Sequence, residues 1–351
     1  MPTNEVKVYV SDKIFTGWQN VQIQRNVDSI SGSFKLGFFD RWGNVSKDWP
    51  LIPGKEVKVE LNGERVITGY IDELSIENSS DSTSMSISGR DKTCDLVDCS
   101  AVPKEYSNLT ADKIAKAMLA PFSVELTVDA DPGEKISKWS VKPGETVFEN
   151  LERLGKMRAL FFVSDGYGVC RIQQRGSAKS NGSIVYGENV ITSSVKHDYL
   201  NRFSKYTVIG QSSGSDEYSG DETVSAKAIS TDSGVNRYRP IIIQGESNID
   251  NKTAQLRANW ELAVRIANSV KVAATVYGWT TPNGQLWKVN ELVDVKDPTL
   301  GIDGEMLISS VNFNLSDDGS TTQFDLVHKD AFLPQPEVVK ESSAADLSED
   351  E

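Results

Sequence analysis

Apolar residues recur at every second position through most of the first hundred residues. Val6, Val8 and Val10 alternate with polar neighbours, as do Val21 and Ile23, then Phe34, Leu36 and Phe38, then Val57, Val59 and Leu61. A period of two puts the apolar side chains of a segment on one face of a strand, and a strand with one apolar face is half-buried in an antiparallel sheet. Gly17, Gly43, the run from Pro50 to Gly54 and Asn62-Gly63 punctuate these segments, and Asn-Gly suits a tight hairpin. Short strands at regular turns predict a small barrel or sandwich.

The pattern then changes. "SNLTADKIAKAMLAPF" predicts a helix with Thr110 as its cap, Ile114, Ala117 and Met118 on one side, and a stop at Pro121. "GETVFENLERLGKM" predicts a second helix through Val147, Phe148, Leu151 and Leu154, and "ALFFVSDGYGVCRIQ" reads as strand, turn, strand. Residues 101–182 are therefore expected to be an α/β insert. "GQSSGSDEYSGDE" is a polar loop, and "DNKTAQLRANWELAVRIANS" predicts one helix at about 251–269 with Leu256, Trp260, Val264 and Ala267 along a face. Strands return in "VKVAATVYGW", "LWKVNELVDV", "EMLISSVNFNL" and "TTQFDLVH". Residues 183–333 thus read as a second β-domain carrying one helix.

The two β-domains read as copies. At an offset of 239, Leu74 and Ile76 match Phe313 and Leu315, Met85 and Ile87 match Phe324 and Leu326, and Asp91 matches Asp330. Slightly upstream, "GERVITG" matches "GEMLISS". Each copy is a strand, a hairpin tipped with Ser and Asp, and a return strand ending in a basic residue and Asp.

Charge narrows the function. The net charge is −13, which disfavours a DNA-reading protein, since such proteins depend on basic patches. The last 18 residues, 334–351, carry six acids and one lysine and read as a disordered tail. No run approaches the ~18 apolar residues of a membrane span, and the N-terminal residues lack a secretory pattern. Three cysteines are too few for a disulfide framework, so a reducing compartment such as bacterial cytoplasm fits best.

Catalytic and metal motifs are weak. Cys94 and Cys99 are five apart with no second pair and no nearby histidine, so an amphipathic turn is favoured over zinc or redox chemistry. "GQSSG" at 210–214 has a strand before it but loop after it, where a nucleophile elbow needs a helix, and only His197 and His328 are available as bases. "DGYG" at 165–168 lacks a dinucleotide fingerprint, and "DADPGE" and "DPTLGIDGE" lack calcium-loop spacing. No catalytic, cofactor or metal residue is assigned. "WSVKPGETVFENL" at 139–151 resembles the opening of a LysM module, with Thr146 or Glu145 as cap, but a predicted hairpin follows where that module has a second helix.

A wider resemblance joins these pieces. "GWQNVQIQRNVDSISGSFKLGFFDRW", "PLIPGKEVKVELNGERVITGYIDE", "SISGRDKTCDLVDCSA", "DYLNRFSKYTVIGQ" and "RYRPIIIQGE" resemble, in order, the baseplate hub proteins of Mu-like contractile-tailed phages, the tail protein P family. The resemblance spans residues 5–333. It implies a mainly β fold of two tail-tube-like antiparallel barrels with a small α/β domain. The first barrel would take residues 1–100, joined by part of 183–200, and the second residues 183–333. It implies a homotrimer, a ring of pseudo-sixfold symmetry joining a sixfold tail tube protein to a threefold spike protein, with wedge proteins outside. DNA would pass through its channel without specific binding, in a virion assembled in the host cytoplasm. Arg90 and the aspartates after it would fix a corner by charge pairing. Trp42, Trp49, Leu51 and Ile52, aromatic and apolar side chains placed in turns, are the candidate interface residues, the alternative being that they plug the barrel ends. A hub of a contractile secretion or bacteriocin device is the alternative, and a LysM-type cell-wall protein a further one.

Overall fold

The computed structural model describes residues 4–27, 29–40, 51–80, 82–158, 160–174, 176, 178–210, 226–244 and 251–333. The alternation read from the sequence is realised in seven strands: β1 (Val6–Val10), β2 (Lys13–Phe15), β3 (Asn20–Asn26), β4 (Ser33–Asp40), β5 (Glu56–Leu61), β6 (Glu64–Asn78) and β7 (Thr83–Asp91). They pair antiparallel in the order β3-β4-β7-β6-β5-β1-β2. Val8, Val10, Ile23, Leu36, Val57, Val59, Leu61 and Ile87 have no exposed surface, because each sits on the inward phase of its strand.

The insert follows as α1 (Cys94–Asp98), β8 (Glu105–Leu109), α2 (Ala111–Leu119), β9 (Glu125–Val128), β10 (Ile136–Ser140), α3 (Val147–Arg158), β11 (Phe161–Ser164) and β12 (Val169–Gln173). Its core gathers Ile114, Met118, Trp139, Leu151, Leu154 and Phe162. Ala117 is exposed and Ala115 takes the buried place on α2. At the start of α3 the Thr146 side chain accepts from the Glu149 amide at 3.1 Å, while the Glu149 carboxylate accepts from the Thr146 amide at 2.7 Å. This capping box assigns the cap to Thr146. Glu145 instead takes Arg153 at 2.9 Å.

The chain re-enters the large sheet through β13 (Lys179–Val185) and β14 (Val190–His197). It then leaves for β15 (Lys205–Ile209), β16 (Lys227–Thr231), β17 (Pro240–Gln244) and α4 (Asn251–Ala267). Residues 198–269 form a compact unit of their own. The helix belongs to that unit, not to the second β-domain as expected. Its buried side is also different: Ala254 and Ala258 pack with Val208 and Ala228, while Leu256 is exposed. Small residues let the helix lie close to the sheet, and the larger Leu256 faces away. Arg202 grips Asp232 in this unit with two hydrogen bonds, of 2.6 and 3.1 Å.

The last strands are β18 (Val270–Tyr277), β19 (Leu292–Asp297), β20 (Ile302–Ser316) and β21 (Gly319–His328). They pair as β14-β18-β21-β20, with β19 on β20 and β13 on β19. Taken in chain order, β13, β14, β18, β19, β20 and β21 repeat the neighbours of β1, β3, β4, β5, β6 and β7. One pairing differs in sense: β1 and β5 are antiparallel, β13 and β19 parallel. The unit 198–269 fills the connection that, in the first copy, is the short turn between β3 and β4.

The duplication has a fixed register. β6 shifts against β7 between Ile71 and Glu73, and β20 shifts against β21 between Ile308 and Ser310. The extra residues, Asp72 and Ser309, are 237 positions apart. The sequence offset of 239 therefore slips by two, which keeps every side chain on its face but pairs the wrong neighbours. At the structural offset Ile87 matches Phe324, and Asp91 matches His328 rather than Asp330.

The two copies are joined to each other. The C-terminal half of β20 pairs with β3, from Ser310↔Asn26 to Leu315↔Val21, so the described strands of both copies belong to one sheet, with β19 and β13 branching from β20, and no closed barrel is found among them. One apolar cluster runs through both copies, from Val6 to Leu326. The strands cross tightly at Gly89, where an added Cβ would lie 2.0 Å from the Tyr70 carbonyl oxygen and 2.7 Å from the Phe34 ring. At Gly37, on neighbouring β4, the nearest atom would be 3.6 Å away. Gly89→Ala is expected to lower stability by ~3 kcal/mol or more, against under ~1 for Gly37→Ala, by urea unfolding. Equal effects would contradict the crossing.

Candidate assembly interface

Antiparallel strands with one buried face leave the other to water, and here that face is long. Across β18, β21, β20, β3, β4, β7 and β6, the residues Tyr277, Thr321, Asn314, Gln22, Lys35, Ser88 and Glu73 stand in one row. The next row runs Thr192, Thr275, Gln323, Asn312, Gln24, Ser33 and Arg90. Uncharged hydrogen-bonding side chains dominate, and charges of both signs are scattered among them. A shallow depression of ~480 Å³ on this face is lined by Gln22, Lys35, Ser75, Ser86 and Asn314. Lys35 and Glu77 are the titratable side chains of its lining.

On the opposite face the β20·β3 junction is dry. Phe313 lies opposite Ile23, and Leu315 opposite Val21. Phe313 is 2 % exposed and Ile23 fully buried. The matching positions of the other copy look different. β5 covers β6 only as far as Tyr70, and Gly54 and Lys55 add hydrogen bonds at Ile71. From Asp72 to Asn78 that edge of β6 has no strand partner among the described residues. The structural counterpart of Phe313 there is Ile76, and it is 45 % exposed. β14, the counterpart of β3, pairs with β18 alone, so its outer edge is likewise unpaired within the described chain.

The corner after β7 is held by charge. Arg90 donates to Asp72 at 2.8 Å and to both oxygens of Asp98, at 3.0 and 2.7 Å. Arg90 holds the Asp98 carboxyl below the ordinary carboxylate value. Asp91 is 1 % exposed and accepts from the amides of Gly32 and Thr93, both at 2.9 Å, and from the Thr93 hydroxyl. Burial pushes its pKa up despite these bonds. The Thr93 hydroxyl also donates to the Ile30 carbonyl at 2.9 Å, and Arg25 donates to the Ser164 carbonyl. These contacts fasten the insert to the sheet.

The residues singled out in the sequence fall in different places. Leu51 is fully buried in the large core, so it fills the fold rather than an interface. Ile52 is 45 % exposed. Trp42 and Trp49 lie outside the described residues, as do the serine of "GQSSG" and the acidic tail 334–351. Cys94 is buried on α1, with its thiol pushed up to about 12 chiefly by burial, whereas Cys99 is exposed. No group of three His, Cys, Asp or Glu side chains among the described residues is placed to hold a metal ion. No helix among them is long and apolar enough to cross a membrane. The open edges of β6 and β14 were not among the sequence candidates.

Four family models match the chain in order. They are the Mu phage baseplate assembly protein GpP-like N-terminal domain at 5–91, the baseplate hub protein gp44-like second domain at 93–174, the tail protein NMB1110-like third domain at 202–259, and the GpP fourth domain at 250–335. The baseplate hub protein gp44 of Escherichia phage Mu is 35 % identical over 343 residues, 94 % of this chain and 89 % of its own. The chain belongs to the family of Mu-like baseplate hub proteins. Among solved structures it is similar to the 43 kDa tail protein of prophage MuSo2 from Shewanella oneidensis, at 34 % identity over 93 % of this chain and 99 % of that one, with a TM-score of 0.83. It is also similar to a tail protein of Neisseria meningitidis, at 25 % identity over 95 % and 99 % of the two chains, TM-score 0.78. An Escherichia coli component of the type VI secretion system shares the fold at 11 % identity over 88 % and 73 %, TM-score 0.53.

Asp91→Ala would leave the two buried amides of Gly32 and Thr93 unpaired at the corner. A loss of ~3 kcal/mol or more in urea unfolding is the expected result. A loss below ~1 kcal/mol would mean that the corner is held elsewhere.

Proposed function

We propose that this chain is the structural hub of a Mu-like phage or prophage baseplate, working as a trimer whose six β copies form a ring of pseudo-sixfold symmetry. One observation carries the reading: the chain contains the same strand order twice, and the copies are joined edge to edge through β20 and β3. A sixfold tail tube and a threefold spike have no common repeat unless each hub chain presents two equivalent modules. Duplication supplies them. The hub would then bind the tube on one face of the ring and the spike on the other, with wedge proteins outside, in a virion assembled in the host cytoplasm. Ile52, with Trp42 and Trp49, remains proposed for such contacts.

The polar face supports a channel. Lys35, Lys196, Lys271 and Arg90 are offset by Glu73, Glu77 and Asp325, and the remaining side chains are mostly Ser, Thr, Asn and Gln. Such a wall is well hydrated and carries no dense positive field, so DNA would slide past it rather than adhere. The role is mechanical, with no catalytic step. The type VI likeness supports a shared fold, and the contractile secretion device stays the alternative assembly.

Light scattering on the size-separated protein is the test. A mass three times the 38.6 kDa chain, stable on dilution, is expected. A monomer, or a dimer with twofold symmetry, would refute the ring.

A further inference from the structure

The internal junction predicts the external one. We propose that the open edge of β6 pairs antiparallel with the open edge of β14 in a second copy of this chain, in the register that β20 and β3 already use. The inference rests on the ring reading and assigns its inter-chain contact.

The register follows from the pairings. β20 maps onto β6 at an offset of 237, fixed by the two bulges. Carrying the pairings through β7 to β4 and through β21 to β18 maps β3 onto β14 at an offset of 172. The internal pair Phe313↔Ile23 then becomes Ile76 opposite the next copy's Val195, and Asn312↔Gln24 becomes Ser75 opposite its Lys196. Pairing stops at His197, where β14 ends, before Asp198 would meet Glu73.

Two features favour a second copy as the occupant. Ile76 is 45 % exposed where its counterpart Phe313 is 2 % exposed, as expected of a position whose neighbouring strand is missing. Glu73 and Glu77 would flank Lys196 on the diagonals, within reach of a cross-strand ion pair. The contact is heterologous, since β6 meets β14 and never itself, so it propagates head to tail until a ring closes.

Crosslinking with mass measurement decides the matter. In a Cys99→Ser background, which removes the exposed thiol, Ile76→Cys and Val195→Cys are combined in one chain. Oxidation is expected to give covalent dimers and trimers on a reducing-agent-free gel. Either substitution alone should give none, and a mixture of the two single variants only dimers. The shifted pair Ile76→Cys with Ile191→Cys should crosslink at least tenfold more slowly. Lys196→Glu should weaken trimerisation several-fold, and adding Glu77→Lys should recover it. A trimeric mass with no crosslink, or with the shifted pair linking faster, overturns this junction and leaves the ring standing. A monomeric mass overturns both.

Discussion

The antiparallel contact of β20 with β3 is the constraint on which the rest depends. A strand edge exposes unpaired amides and carbonyls, and natural sheets must cover or blunt it. This chain covers one such edge with its own second copy. The cover requires that both copies keep the same polar and apolar phase across the join, since a one-residue slip would carry Phe313 and Ile23 to the polar face. Matching phase makes a single apolar core and a single polar face out of two modules.

The duplicated sheet carries its insertions in the connections between strands. The first insert leaves at the end of β7, where Arg90, Asp91 and Thr93 tie it back by charge and hydrogen bonds. The second, residues 198–269, occupies the connection between β14 and β18 and has its own small core and its own buried Arg202–Asp232 pair. Neither insertion breaks the pairing of β20 with β3. Family membership fits this plan, because the matched domains follow one another along the chain with the repeat divided around them.

Much of this was legible in the sequence. Alternation at Val6 to Val10 and at Phe34 to Phe38 gave strands and faces, because period two depends only on local geometry. Capping chemistry around Thr146 located a helix start. The repeat was visible, but its offset was two residues wrong, because apolar spacing cannot see a bulge: Asp72 and Ser309 carry no mark of being the extra residue. Leu51 read as a turn residue among Pro50, Ile52 and Pro53, although the core encloses it. The helix face through Leu256 was misread because Ala254 and Ala258, too small to register as a hydrophobic stripe, make the close contact. Open and covered edges were invisible, since β3 and β14 both read simply as strands and only tertiary pairing distinguishes them.

Imaging of the purified protein by electron cryomicroscopy tests the central claim most directly. The account predicts a six-lobed annulus of three chains, with β6 of each hydrogen-bonded to β14 of the next and the Ser-, Thr-, Asn- and Gln-rich face turned to the central opening. A ring whose chains meet through other surfaces, or a particle with the polar face turned outward, would contradict it.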